Sequence, residues 1–393
     1  MSETIKTTRF DNGLTVLTEK MPDLRSATFG IWIKRGSRHE PRELNGITHF
    51  IEHAVFKGTP KRSALEIAIE SDKFGGNLDA FTSHESTGFM MKVVDESVPQ
   101  AFDLLADMVA NPIFDEREMM REQRVIIEEM KMVEDLPEEL LGEVFNAAFF
   151  PEDSLGLPIE GTTRTVKNFH HEITKSYHSQ AFAPANIVIA AAGNVAHQQI
   201  CDLAEKAFHG STENRKPKTE SRKPKAAAPI LLKNKRDLEQ THLIIATPFV
   251  DAQSEKRYAA TLLANVLGGG TSSRLWQSIR ENRGLAYSVG SSAVLYQDCG
   301  VFSIYAGTSP NQFDEVVDLS IAEMRNVARE TVSQDELDLV KSQAVAAILL
   351  GLESSSARAG ALARQEIIHG RRIAPDEIIN RLEAVTIEDL ERV

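Results

Sequence analysis

The sequence predicts a layered chain of mixed sheets and helices, built from two duplicated half-domains. Three observations predict it. A polar stretch at 211–229 with three prolines and six basic residues, flanked by ordinary globular sequence, reads as a solvated linker. Strands and helices recur in the same order on either side of it. At an offset of 212 residues, Lys57-Gly58-Thr59 falls on Gly269-Gly270-Thr271, and Gly88-Phe89-Met90 falls on Gly300-Val301-Phe302. The expected division is residues 1–210, the linker 211–229, and residues 230–393.

In the first half, Leu14–Leu17 and Ala27–Lys34 read as strands from their β-branched and apolar content. Helical spacing begins at Gly46 and runs to Phe56, resumes over Ser63–Phe74, and breaks at Gly75-Gly76. Thr87–Val94 reads as a strand, and Val98–Ala110 and the acidic Asp115–Glu134 as helices. A further strand, Asn186–Ala192, closes the half at Gly193-Asn194. In the second half, Thr241–Thr247 and Gly300–Ala306 read as strands. Glu255–Leu267, Ser272–Glu281, Pro310–Glu330 and Ser333–Leu350 read as helices. A final strand matching Asn186–Ala192 is not found before Val393.

Composition narrows the function classes. With 44 Lys and Arg against 57 Asp and Glu, the net charge is −13, which disfavours nonspecific contact with nucleic acid or anionic membrane. The same field favours basic ligands. Two cysteines without CxxC spacing point away from a disulfide scaffold or a thiolate metal site. The longest apolar runs are far short of the roughly 20 residues that span a bilayer. The chain is therefore expected to be soluble and to fit a reducing compartment.

The sharpest local feature is His49-Phe50-Ile51-Glu52-His53. On a helix, His49 and His53 lie one turn apart on one face, so both imidazoles reach one tetrahedral metal. Glu52 stands beside that face, placed to hold a water without ligating. A catalytic zinc needs a third protein ligand. The acidic helix offers Glu122 and Glu129, two turns apart on one side and beside the apolar Val125, Ile126 and Met130. A carboxylate on a half-buried face is costly unless it is paired or metal-bound.

His49-x-x-Glu52-His53, followed by Glu129 76 residues after His53, resembles the inverted zinc motif of the M16 metallopeptidases, the family of pitrilysin, insulin-degrading enzyme and the mitochondrial processing peptidase. Asn45–Thr59, Gly75–Thr82, Glu122–Val133, Pro184–Val195 and Arg280–Val289 are also similar to that family. The resemblance is greatest to the short-chain branch, with the processing peptidase β subunit and its bacterial relatives, which implies a cytoplasmic location in a bacterium, or the mitochondrial matrix if a presequence has been removed.

The resemblance implies an α+β fold of the LuxS and processing-peptidase type: two duplicated half-domains, each a mostly antiparallel sheet packed with helices. It implies one Zn2+ per chain held by His49, His53 and Glu129, with Glu52 as general base and Glu122 steadying the site. It implies that Arg280 and Tyr287 approach the substrate and that Ala80 belongs to an edge strand that pairs with substrate backbone. Phe56 and Phe81 would line a side-chain pocket. Asp79 stands where many members carry Asn. The second half has no metal set, since His49, Glu52 and His53 fall on Thr261, Ala264 and Asn265.

The implied activity is zinc-dependent endoproteolysis of unfolded peptides or presequences bound in extended form, with basic peptides preferred. Two other members of the family are conceivable on this sequence: a non-catalytic structural subunit, and a half-enzyme that needs a partner's Arg and Tyr. The presence of both residue sets in one chain argues against the half-enzyme. Long-chain members carry four such units, with the metal in the first and the Arg–Tyr pair in the last, so for a chain of two units the resemblance implies a homodimer with composite sites.

Overall fold

The computed structural model describes residues 5–209, 225, 227 and 238–393. The linker expected at 211–229 lies outside the described residues apart from Lys225 and Ala227.

In chain order the first half contains β1 (Ile5–Arg9), β2 (Thr15–Lys20), β3 (Ser26–Ile33), α1 (Ile47–Ala54), α2 (Ala64–Lys73), β4 (Asn77–Thr82) and β5 (Thr87–Val94). It continues with α3 (Val98–Ala110), α4 (Glu116–Asp135), α5 (Pro137–Phe149), α6 (Thr163–Val166), α7 (His171–Ala181), β6 (Ile187–Gly193) and α8 (His197–Ala207). The second half contains β7 (Thr241–Phe249), α9 (Arg257–Gly268), β8 (Ala286–Leu295), β9 (Gly300–Thr308) and α10 (Phe313–Arg329). It ends with α11 (Gln334–Gly351), α12 (Ser355–His369), α13 (Pro375–Glu383) and α14 (Ile387–Glu391).

The chain divides into two compact units that do not coincide with the sequence halves. The first half gives Asp135–Glu152, which carries α5, to unit 2. The second half gives Gly351–Arg372, which carries α12, to unit 1. Periodicity identifies a helix but not the sheet it covers, so a boundary drawn from composition misses this exchange.

Unit 1 is a six-stranded sheet in the order β1-β2-β6-β3-β5-β4. All its neighbours are antiparallel except β2 and β6, which run parallel. β6 is buried along its whole length, as a central strand covered on both faces should be. On one face Phe29, Ile31 and Phe89 pack with α1, α3 and α8 through Phe50, Phe102 and Ile200. On the other, Trp32, Val188 and Ala190 meet Ala359, Leu362 and Ala363 of α12. Polar pairs join that helix to the sheet: Arg358 with Glu19, the half-exposed Arg9 with the buried Glu366, and Thr28 with the Ser355 hydroxyl at 2.9 Å.

Among the described residues, unit 2 has a three-stranded antiparallel sheet in the order β7-β9-β8. This repeats the arrangement β3-β5-β4 of unit 1, with α9 following β7 as α1 follows β3. The duplication inferred from two glycine landmarks is thus carried by strand order.

The edge strand β4 and the strand β8 were not legible from alternation alone. β4 reads Asn-Leu-Asp-Ala-Phe-Thr after a Gly-Gly break, with few β-branched residues. The helix expected over Ser272–Glu281 also differs, for its second part, Trp276–Glu281, is a π-helical turn.

Candidate metal centre

Helix α1 begins without a side-chain cap. Gly46 precedes it at φ 94°, and a Cβ there would lie 2.4 Å from the Glu160 carbonyl oxygen, so only glycine fits. The first-turn N–H groups are satisfied instead by Glu40. Its carboxylate accepts from Gly46 N–H at 2.7 Å and from Thr48 N–H at 2.8 Å. Ile47, Phe50, Ile51 and Ala54 then bury the apolar face of the helix in the core of unit 1. That anchoring fixes the direction in which His49 and His53 leave the helix.

The two imidazoles meet edge to face, with ring centres 4.6 Å apart. His49 Nε2 and His53 Nε2 lie 3.9 and 3.6 Å from the same oxygen, Glu129 Oε2, which α4 supplies. One donor atom from each of His49, His53 and Glu129 falls within a cluster 4.8 Å across, among the described residues. Glu129 Oε2 and His49 Nδ1 are buried without a hydrogen-bond partner. A buried carboxylate oxygen facing two imidazole nitrogens, with no proton donor, is a site that a divalent cation would satisfy.

The electrostatics agree with that fit. Burial, reinforced by the neighbouring His53, pushes the His49 imidazole down to about 3, so it is neutral and able to ligate. For His53, burial is outweighed by the Glu122 hydrogen bond and by the charges of Glu129 and Glu52, and the net direction is upward. The field that attracts a proton there attracts a metal cation as well.

Glu122 sits one shell out. Its Oε2 lies 3.3 Å from His53 Nδ1, which assigns the proton to Nδ1 and leaves Nε2 facing Glu129. Its other oxygen meets Lys57 Nζ at 2.8 Å. Against the cost of burial, the bonds to His53 and Lys57 hold Glu122 below the ordinary carboxylate range.

Glu52 does not join the ligands. Thr82 Oγ1 donates to Glu52 Oε2 at 2.6 Å. Burial pushes the Glu52 carboxyl upward and the Thr82 bond partly opposes it, a tuning suited to a group that must gain and lose a proton.

The residues assigned by resemblance to substrate contact are placed as follows. Ala80 lies on β4, the outermost strand of its sheet, and packs toward the α1 side. Asp79 is exposed, and its Oδ1 accepts from the Ala80 N–H at 3.0 Å. Phe56 packs against the α1-side core, whereas Phe81 packs on the opposite face beside Trp32 and over Gly88. Alternation along β4 separates them, so the structure does not bring Phe56 and Phe81 into one pocket.

In unit 2, the Arg280 guanidinium lies over two rings, 3.9 Å from the Trp276 centroid and 4.6 Å from that of Tyr287. Tyr287 is 76% exposed, so it is a surface group rather than a core tyrosine.

Sequence reasoning missed Glu40, Lys57, Thr82 and Trp276. Trp276 alone left a local signal, four residues before Arg280 on a helical turn. The other three meet the site through contacts that no sequence spacing encodes.

A centre of this kind, two histidines one turn apart and a glutamate from a second helix, defines a metallopeptidase-type site. Comparison with known proteins gives the family. Residues 15–163 match the family model described as insulinase, peptidase family M16, and residues 168–344 match the M16 inactive domain. The chain belongs to the M16 peptidase family.

It is 39% identical over 384 residues to the uncharacterized zinc protease YmxG of Bacillus subtilis, covering 98% of this chain and 93% of that protein. It is 36% identical over 396 residues to an uncharacterized zinc protease of Streptomyces coelicolor, covering 99% and 86%. Its fold is shared with the crystal structure of a protease from Helicobacter pylori, with a TM-score of 0.88, 22% identity, and 99% and 95% of the two chains covered. The inactive-domain match falls on the part of the chain that lacks the His-His-Glu set; the set lies wholly within 15–163. Among the described residues, no single helix is long and apolar enough to cross a membrane.

Proposed function

We propose that this chain is a zinc-dependent metalloendopeptidase that hydrolyses unfolded peptides or presequences held in extended form, with one Zn2+ per chain. The observation that carries the reading is Glu129 Oε2, buried, unpartnered and facing the Nε2 atoms of His49 and His53. Those three residues would hold the ion. When bound, zinc supplies Lewis-acid polarisation of the scissile carbonyl and acidifies water.

The rest is done by the chain. Glu52 accepts the proton of the attacking water and delivers it to the leaving amine. Glu122, anchored by Lys57, orients the His53 ring. The outer edge of β4 offers backbone groups for a substrate strand, which selects extended over folded substrates. We place Arg280 and Tyr287 against the substrate too, within a homodimer whose sites combine the metal set of one chain with the Arg–Tyr pair of its partner. Basic peptides are the preferred class on grounds of net charge, −13.

The test is metal analysis together with cleavage of a peptide library by the wild type and by Glu52→Gln. The variant should keep its zinc and lose hydrolysis by about two to four orders of magnitude, the range supplied by a positioned acid–base group. Near wild-type turnover in that variant would refute the assignment.

A further inference from the structure

The hydroxyl of Thr82 makes the shortest hydrogen bond at the site, 2.6 Å to Glu52 Oε2. Three features make that bond directional. Thr82 is the last residue of β4 and pairs with Thr87 across the hairpin, so its backbone is fixed by the ladder. The turn beyond it is tied at both ends: Ser83 N–H bonds to the Ser86 carbonyl, and Ser37 and Arg38 donate to the carbonyls of Ser83 and His84. Its side chain is β-branched, with little rotamer freedom once the backbone is set.

Alternation places Thr82 on the same face of β4 as Ala80 and Leu78, the face that packs toward α1. Glu52 is half-buried on α1, and Thr82 is its hydrogen-bond partner among the described residues. A glutamate has three side-chain torsions, the last of them broad. With one oxygen held by Thr82, the other is left in a defined position for a water.

We infer that Thr82 is a positioning residue. It locks the Glu52 carboxylate and ties the general base to the same edge strand on which an extended peptide would pair. A peptide strand added beside Ala80 is thereby placed in fixed register with the base, two residues along the strand. The inference rests on the hydrolytic reading above and deepens it, because it makes the base's orientation a property of the substrate-binding strand rather than of the metal helix alone.

The experiment compares wild type, Thr82→Ser and Thr82→Val as zinc-loaded full-length chains, measuring kcat, KM and zinc content with one unstructured peptide. Valine keeps the shape and removes the hydroxyl; serine keeps the hydroxyl. Thr82→Val should lower kcat by about ten- to a hundredfold, the consequence of losing a hydrogen bond to a charged group. KM and zinc content should stay within about twofold, and Thr82→Ser should recover most of kcat. Wild-type kcat in Thr82→Val overturns the inference, as does a Thr82→Ser variant as slow as the valine, or a loss of zinc that parallels the loss of rate. If the wild type itself cleaves no peptide, the hydrolytic reading falls and takes this role with it, so the wild-type rate tells the two failures apart.

Discussion

Replacing Glu40 by Gln should remove a loss of stability that the native chain undergoes as pH rises. Glu40 is 6% exposed. Burial pushes its carboxyl from an ordinary value of 4.5 up to about 7, against the opposing N–H donors of Thr48 and Gly46. The folded state therefore holds a proton that the unfolded chain releases between those two values. Folding stability from this group is complete below pH 4.5 and is lost as pH rises through about 7. The loss is about 1.4 kcal/mol per pH unit in that window, or about 3 kcal/mol in all.

Glutamine cannot titrate. It also offers one acceptor oxygen where two N–H groups now find two, a pH-independent cost of about 1–3 kcal/mol. The variant should be the weaker protein at pH 5, and the gap should close by about 3 kcal/mol by pH 8. The chain has two tryptophans, Trp32 in β3 and Trp276 in unit 2. In a Trp276→Phe background, urea unfolding followed by Trp32 fluorescence reports on unit 1, and metal-free protein keeps zinc linkage out of the comparison. A difference between the two proteins that is constant from pH 5 to 8 would refute the reasoning, because it would mean that the α1 N–H groups keep Glu40 ionised throughout.

Other consequences are as direct. Gly46→Ala should cost roughly 2–4 kcal/mol and lower zinc retention, because Gly46 sits at φ 94° with backbone 2.4 Å from the added carbon; thermal unfolding with and without zinc checks both. Glu336, bound by Arg274 and accepting from Ser333 N–H, is held down to about 2. Its contribution to unit 2 should be present above pH 4.5 and lost as pH falls through about 2, by about 1–2 kcal/mol after solvent screening, and Glu336→Gln should flatten that acid limb. Mixing inactive Glu52→Gln with an inactive Arg280→Ala/Tyr287→Phe chain should restore cleavage in up to about half of the dimers if sites are composite. No recovery in verified mixed dimers would place each site within one chain.

What the sequence disclosed at the site follows from what lies close along the chain. His49, Glu52 and His53 share one turn of one helix, and helical period alone sets their faces. Glu129 was within reach because α4 is long and amphipathic, so two glutamates two turns apart stood out on a half-buried face. Thr82 and Lys57 were not, since each reaches the site through a tertiary contact, and Glu40 caps α1 from six to eight residues upstream through a loop that follows no periodic spacing. Thr82 is 30 residues from Glu52, and Lys57 is 65 residues from Glu122. The fold shows the same limit. Duplication could be read from two glycine landmarks, but the exchange of α5 and α12 could not, because a contact between segments far apart in the chain leaves no local spacing. The expected pocket of Phe56 and Phe81 did not form, for the β4 pleat sends Phe81 to the far face.

The second half shows why a duplicated scaffold does not carry a duplicated centre. α9 lies where α1 would fall at the 212-residue offset, and it meets the same kind of sheet, β7-β9-β8. At its ligand positions, the Thr261 hydroxyl is turned back onto the Arg257 carbonyl at 2.9 Å. Ala264, in place of the base, is buried in the unit 2 core. A Cβ at Gly269 would meet Asn265, in place of the second histidine, at 2.6 Å. Restoring the His-x-x-Glu-His set here would bury a carboxylate at Ala264 in an apolar core. What this half carries instead is Arg280, on a π-helical turn, within cation–π distance of Trp276 and the exposed Tyr287. A guanidinium is planar and presents its N–H donors in a fork that matches carboxylate geometry. One copy of the unit thus carries groups suited to a metal and a proton, and the other carries an arginine–aromatic cluster in their stead.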